Sequence, residues 1–326
     1  MGEFELIRRH FQHALHPPGV ALHNGDDCAL LAPAPGMRLA VSTDMLVEGR
    51  HFVSTVCPEA LGHKALAVNL SDLAAMGAAP LAFTLALSLP RADDAWLAAF
   101  AKGLLALADA HGCALVGGDT TAGPLNICIT VFGQVPEHQA LRRGAAQVGD
   151  DIYVSGCLGD ARLALEVFRG TPGVCGLVSA EAFAAARQRM ERPTPRVALG
   201  TALRGVAHAA ADVSDGLLGD LGHILTASGL GAVLHPDELL NNIAANPILA
   251  SARGLFGYEY CLTGGDDYEL VFTAPPTARD AVQHAAAASG TPVVRIGHTV
   301  APPGLTLLAA NGQVLPQRWA SFDHFA

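Results

Sequence analysis

Between Leu73 and Pro90 the chain carries no charged side chain. A run of that length has to be shielded from water, by lipid or by protein. Gly77 and Pro80 divide it, and neither residue suits the interior of one continuous helix. The run is therefore predicted to be the end of a buried helix followed by a strand, which commits the chain to a large protein interior rather than to a membrane span.

Composition supplies that interior. The 326 residues are 51% hydrophobic and 15% charged, enough apolar surface for two domains of ordinary size. Apolar residues at helical spacing predict an amphipathic opening helix over 3–15. Strands are expected around 28–31 and 39–43, helices over 59–76 and 93–110, and further strands over 81–89, 113–117 and 125–135. The polar stretch 136–149 contains Arg142, Arg143 and two glycines and precedes a fresh strand at 151–155. It marks a boundary between domains spanning 1–137 and 148–326. The second half repeats the alternation, with helices near 159–169, 180–190 and 216–228 and strands near 207–213, 268–273 and 292–297. Interleaving of this kind defines a mixed α/β protein.

Charge narrows the function. With 20 basic against 30 acidic residues the net charge is -10, which disfavours nucleic acid or an anionic membrane as partner and requires metal ions wherever a polyanion binds. The only lysines are Lys64 and Lys102, and neither stands in a Gly-Lys-Ser/Thr context, so no P-loop is present. Seven dispersed cysteines without a Cys-x-x-Cys pair read as buried thiols of a reducing cytoplasm. The charged N-terminus, Met-Gly-Glu-Phe-Glu-Leu-Ile-Arg-Arg-His, lacks the apolar core of a signal peptide. A cytoplasmic location follows as the expectation.

The chemistry lies in six acidic segments, most of them expected where a strand ends. They are Gly25-Asp26-Asp27, Ser42-Thr43-Asp44, Asn69-Leu70-Ser71-Asp72, Gly117-Gly118-Asp119-Thr120, Asp212-Val213-Ser214-Asp215-Gly216 and Gly264-Gly265-Asp266-Asp267. Glycine lets a backbone approach a ligand closely, and short carboxylates present the hard oxygens that magnesium prefers when it also binds phosphates. Each segment has a plainer reading: Asp-Gly forms turns, and Asp215-Gly216 could simply start the helix that follows. Asp72 resists such a reading, because it interrupts an apolar helix and an unpaired carboxylate there needs a cation, either a metal or Lys64 two turns away. His51, just after the Asp44 segment, is close enough to touch whatever that segment binds.

Taken together and in order, these segments resemble those of the thiamine-monophosphate kinases. Further shared features are Lys64-Ala-Leu-Ala-Val-Asn-Leu-Ser-Asp72, Tyr268-Glu269-Leu270 and the terminal Phe322-Asp323-His324-Phe325, so the resemblance spans essentially the whole chain. It implies the two-domain fold of aminoimidazole ribonucleotide synthetase, with an N-terminal domain that binds ATP and magnesium and pairs across a homodimer, and a C-terminal domain that completes the active site. It further implies several magnesium ions held by Asp27, Ser42, Thr43, Asp44, Asp72, Asp119, Asp212 and Asp215. Gly118, Asp119, Arg143 and Ser214 would meet ATP, and His51, Asp266 and Phe322 would face thiamine monophosphate. Asp44, Asp72, Asp119 and Asp212 would carry catalysis. This chain has Asp266 where the family usually has glutamate, and Phe322 where it often has tyrosine or tryptophan. The implied reaction is direct in-line transfer of the γ-phosphoryl group of ATP to the substrate phosphate. Two alternatives stay open: another ATP-using enzyme of the same superfamily, or a non-catalytic nucleotide-binding relative.

Overall fold

The structure is a computed structural model and describes residues 3–23, 25–242, 247–252 and 256–315. The chain divides into two compact units, residues 1–73 with 78–138, and residues 74–77 with 139–326.

The first unit contains α1 (Glu3–His10), β1 (Val20–Leu22), β2 (Leu30–Leu31), β3 (Met37–Val47), α2 (Pro58–Ala75), β4 (Ala79–Leu89), α3 (Asp94–Ala110), β5 (Ala114–Ala122) and β6 (Asn126–Pro136). β3, β6, β4 and β5 form a four-stranded sheet in that order, with only the β4–β5 pair parallel. β6 shows why the sheet forms: Ile127, Ile129 and Val131 are buried while Cys128 and Thr130 between them are half-buried, the alternation of a strand with one core face. α2 covers that face, with Leu73 against Gly133 of β6. From Lys64 to Ala75 every residue of α2 is buried except Asp72, so the helix has no polar stripe and is read correctly as interior. The uncharged run resolves as expected, α2 ending at Ala75 and β4 starting at Ala79.

Two glycines set how closely α2 approaches α3. A Cβ at Gly62 would strike the Phe100 carbonyl, and one at Gly103 would strike the Glu59 carbonyl. α3 itself starts on Asp93, whose carboxylate accepts from the Ala95 and Trp96 amides, satisfying two orphan donors of its first turn.

The second unit contains β7 (Asp151–Ser155), α4 (Asp160–Phe168), α5 (Ala180–Glu191), α6 (Val197–Ala202), β8 (Ala209–Val213), α7 (Leu217–Ser228), β9 (Gly231–Leu234), α8 (Pro236–Asn242), α9 (Pro247–Ser251), α10 (Tyr258–Thr263), β10 (Glu269–Ala274), α11 (Arg279–Ser289), β11 (Val293–Val300), β12 (Gly304–Leu308) and β13 (Val314–Leu315). Its sheet runs β13-β12-β9-β11-β7-β10-β8. Every residue of β7, β8 and β10 is buried, so these strands are covered on both faces and read as runs rather than alternations. Ile152, Val154, Ala211, Val213 and Val271 of these strands join Leu163 of α4 and Leu221 and Ile224 of α7 in one core.

Several elements differ from expectation. α1 stops at His10, short of residue 15, and Pro17-Pro18 shortly after cannot continue a helix. β3 extends to Val47 and β5 to Ala122, because pairing to neighbours carries a strand through residues whose side chains alone suggest a loop. α6, β9, α8, α9, α10, α11, β12 and β13 had no sequence expectation at all. Replacing Gly103 with alanine is expected to lower stability by roughly 1–3 kcal/mol, the range of an overpacked core, read as a fall in the urea midpoint with unchanged m-value.

Candidate active site

On β3 the side chains of Ser42, Asp44 and Leu46 share the more buried face, and those of Val41, Thr43 and Met45 the exposed one. α2 lies over the buried face. The Ser42 hydroxyl donates to Asp72 Oδ2 at 2.5 Å, and the Asp44 amide donates to Asn69 Oδ1 at 3.1 Å. Asn69, 1% exposed, is fixed in turn by its own donation to the Ala65 carbonyl at 3.0 Å. Two segments far apart in sequence thus bring Ser42, Asp44 and Asp72 to one place. Thr43 stands on the other face, its hydroxyl 2.9 Å from that of Thr130. The acidic segments around Asp44 and Asp119 therefore lie inside β3 and β5, not at strand ends as expected.

Gly118 has φ 143°, and a Cβ there would strike the Leu85 backbone on the neighbouring strand, so only glycine fits. Asp119 follows, in register with Ala86 of β4, and one carboxylate oxygen accepts from the Thr120 amide at 2.9 Å. His51 is held by a tight turn: its Nδ1 accepts from the Val47 amide at 3.0 Å, and its carbonyl accepts from the buried Lys64 ammonium at 3.2 Å. Asp27 is exposed, its amide bonded to the Asp26 carboxylate at 2.9 Å.

In the second unit, Asp212 lies buried on β8 opposite Leu270 of β10. The pairing continues past the strand ends, because the amides of Asp266 and Tyr268 donate to the carbonyls of Ser214 and Val213, each at 2.9 Å. Asp266 and Tyr268 adopt φ of 68° and 51°, the left-handed region that side chains disfavour. The Tyr268 hydroxyl closes back on Asp266 Oδ1 at 3.1 Å. Asp215 does not cap α7: Gly216 occupies the cap position with no side-chain bond, and the buried Asp220 reaches back instead to the Ser214 and Asp215 amides. Burial pushes the Asp220 carboxyl up to about 6. Arg143 is exposed in a single 3₁₀ turn whose carbonyl accepts from Ser228 of α7 at 3.1 Å. Phe322 lies outside the described residues.

Beneath the Asp266 loop sits a buried charged group that the acidic segments did not foretell. Glu269, fully buried, receives a two-pronged Arg196 guanidinium, Arg189 at 2.7 Å and the Ser155 hydroxyl at 2.7 Å. Asp267 Oδ2 accepts from the Gly159 amide at 2.8 Å, while its other oxygen and Asp160 Oδ1 have no hydrogen-bond partner among the described residues. Burial raises the Asp267 carboxyl well above the usual range, and raises that of Asp160 to about 6.

Among the described residues no three His, Cys, Asp or Glu side chains converge as a ready metal cage. What the first unit offers is carboxylate and hydroxyl oxygen as a pair, Ser42 with Asp72. These are hard donors too few to enclose an ion, which suits magnesium that keeps waters and shares phosphate ligands.

Comparison with known proteins decides the family. Residues 25–135 match the AIR synthase related protein, N-terminal domain, and residues 147–309 its C-terminal domain. The thiamine-monophosphate kinase of Salmonella typhimurium is 43% identical over 326 residues, covering 100% of this chain and 98% of that protein. The chain belongs to the thiamine-monophosphate kinase family. The crystal structure of thiamine-monophosphate kinase from Stenotrophomonas maltophilia K279a superposes with a TM-score of 0.85 at 45% identity, covering 97% of this chain and 98% of that one. The structure of AaThiL complexed with AMPPCP and TMP gives a TM-score of 0.76 at 26% identity, covering 99% and 96%.

The kinase is thus a two-domain mixed α/β enzyme of the aminoimidazole ribonucleotide synthetase type. Among its described residues no helix is long and apolar enough to cross a membrane. Among acids beside glycine, the sequence reading passed over Gly159-Asp160 and Gly219-Asp220, and Glu269 entered only through the resemblance at Tyr268-Glu269-Leu270. Asp160 and Asp220 carried the glycine signal itself, whereas Glu269 opens its strand directly after Asp266-Asp267-Tyr268, and nothing local marks its burial.

The kinase's stability should carry the imprint of Asp160. Its folded-state carboxyl, near 6, binds a proton more tightly than the unfolded value of 3.8. The resulting stabilisation is complete below 3.8 and lost as pH rises through about 6. Relative to wild type, Asp160→Asn is expected to gain roughly 3 kcal/mol between pH 4 and 7, measured by denaturant unfolding across that range.

Proposed function

We propose that this chain transfers the γ-phosphoryl group of ATP to the phosphate of thiamine monophosphate, producing thiamine diphosphate and ADP. The observation that carries the reading is full-length identity of 43% to a thiamine-monophosphate kinase. AaThiL, similar in fold, is complexed with an ATP analogue and TMP.

In this reading several magnesium ions are held by Asp27, Ser42, Asp44, Asp72, Asp119, Asp212 and Asp215, and by Thr43 through its backbone, since its side chain lies on the other face of β3 against Thr130. Magnesium, when bound, supplies charge neutralisation between donor and acceptor phosphates. Gly118 admits the nucleotide close to the backbone, and Asp119, Arg143 and Ser214 are its polar contacts. His51, fixed by the Val47 amide and Lys64, and Asp266, fixed by Tyr268 and Ser214, face thiamine monophosphate, together with the aromatic surface of Phe322. Asp44, Asp72, Asp119 and Asp212 are the acids on which turnover depends. The first unit carries most of the metal and dimer contacts, and the second supplies the remaining nucleotide and acceptor residues.

The acceptor is a phosphate monoester whose second pKa is about 6, so it is already a dianion at neutral pH. No general base is needed, and transfer proceeds in line without a phosphoenzyme. The obstacle is repulsion between two polyanions on a chain of net charge -10, and positioning with charge neutralisation supplies most of the rate.

A homodimer is part of the proposal. β3 pairs only with β6 among the described residues, and it exposes Leu39, Val41 and Met45 at 43%, 55% and 52%. An edge strand of that character suits an interface with a second copy.

Purified protein with ATP and magnesium is expected to form thiamine diphosphate only when thiamine monophosphate is added; ATP hydrolysis indifferent to the acceptor would sink the reading. Asp72→Asn should lose turnover by about 100-fold or more while its thermal midpoint stays near wild type. Sedimentation should report a dimer, and Val41→Arg should shift it toward monomer.

A further inference from the structure

Asp220 lies in the first turn of α7, 3% exposed. A single oxygen, Oδ2, accepts from two successive backbone amides, Ser214 at 3.0 Å and Asp215 at 3.1 Å. This is not a helix cap. The acceptor comes from inside the helix and reaches back across Gly216, whose φ of 114° turns the chain sharply enough to make the return possible. The Arg143 guanidinium lies near enough to act on the same carboxylate through its charge. On the far side, the Ser214 carbonyl accepts from the Asp266 amide at 2.9 Å, and Gly265 leaves no room for a side chain against that carbonyl.

Two amides converging on one oxygen fix the peptide planes of Ser214 and Asp215, and therefore the directions in which the serine hydroxyl and the Asp215 carboxylate leave the backbone. We propose that Asp220 is a positioning residue for phosphoryl transfer: it aims Ser214 and Asp215 at the magnesium-nucleotide, and through the Ser214 carbonyl it ties their orientation to the loop that carries Asp266. The inference rests on the reading that Ser214 and Asp215 serve that ligand. Outer contacts that orient metal ligands typically contribute 10–100-fold to affinity.

The test is magnesium-dependent binding of the non-hydrolysable analogue AMPPCP to the full chain, followed by calorimetry, with amide hydrogen exchange at Ser214 and Asp215 as the structural readout. Asp220→Ala is expected to weaken binding about 10-fold or more and to release both amides. Asp220→Asn, whose amide oxygen can still accept both bonds, should stay within about threefold of wild type with both amides protected. Wild-type binding unchanged in Asp220→Ala overturns the proposal. If Asp220→Ala does not fold, Asp220→Asn decides: retained binding with protected amides supports positioning, and lost binding with protected amides overturns it, since charge rather than hydrogen bonding would then be at work. A wild-type chain that does not bind AMPPCP with magnesium overturns the functional reading, and the role of Asp220 with it.

Discussion

The antiparallel pairing of β8 with β10 is the constraint on which the second unit's candidate site depends. Glu269 opposes Val213 and Leu270 opposes Asp212, and the ladder runs on through the amides of Tyr268 and Asp266. Two acidic segments some fifty residues apart in sequence become one surface. Because the link is backbone to backbone, it is indifferent to side-chain substitutions in either segment but sensitive to any residue that cannot adopt the sharp geometry. Gly216 and Gly265 both sit where a Cβ would collide with the opposing segment.

That geometry is held against a tendency to relax. Asp266 and Tyr268 occupy left-handed backbone conformations without being glycine, a local strain of order 1–3 kcal/mol each that surrounding structure must over-determine. The buried group below supplies the restraint. Glu269 is matched by two guanidinium groups and a hydroxyl, so its negative charge is compensated by good geometry. Asp160 and Asp267 are the contrasting case: each leaves an oxygen without a partner among the described residues, and burial raises both carboxyls. One buried acid is paired by its neighbours, and two are driven toward neutrality by the same interior.

In the first unit the corresponding device is a buried helix. α2 is interior nearly all round, and the glycine contacts with α3 fix how near it comes. Only because its position is set by apolar packing can it present Asn69 and Asp72 to β3 with hydrogen-bond precision. A surface helix would deliver the same residues with more freedom and less control.

The sequence by itself determined the donor inventory, the order of the acidic segments, the buried helix end and following strand within residues 73–90 and most elements with a clear period, including the strand at 151–155. Family resemblance was legible too, because six short motifs in order are specific where one is not. It did not determine that Ser42 meets Asp72 while adjacent Thr43 faces away, that Asp215 leaves α7 uncapped, or that Asp220 holds the turn before it. Nor did it reveal α6, β9, α8, α9, α10, α11, β12 or β13. The reason is physical: period and composition are local properties of a chain, whereas a hydrogen bond between residues thirty or a hundred positions apart depends on strand register and helix placement, which are settled only when the whole core packs.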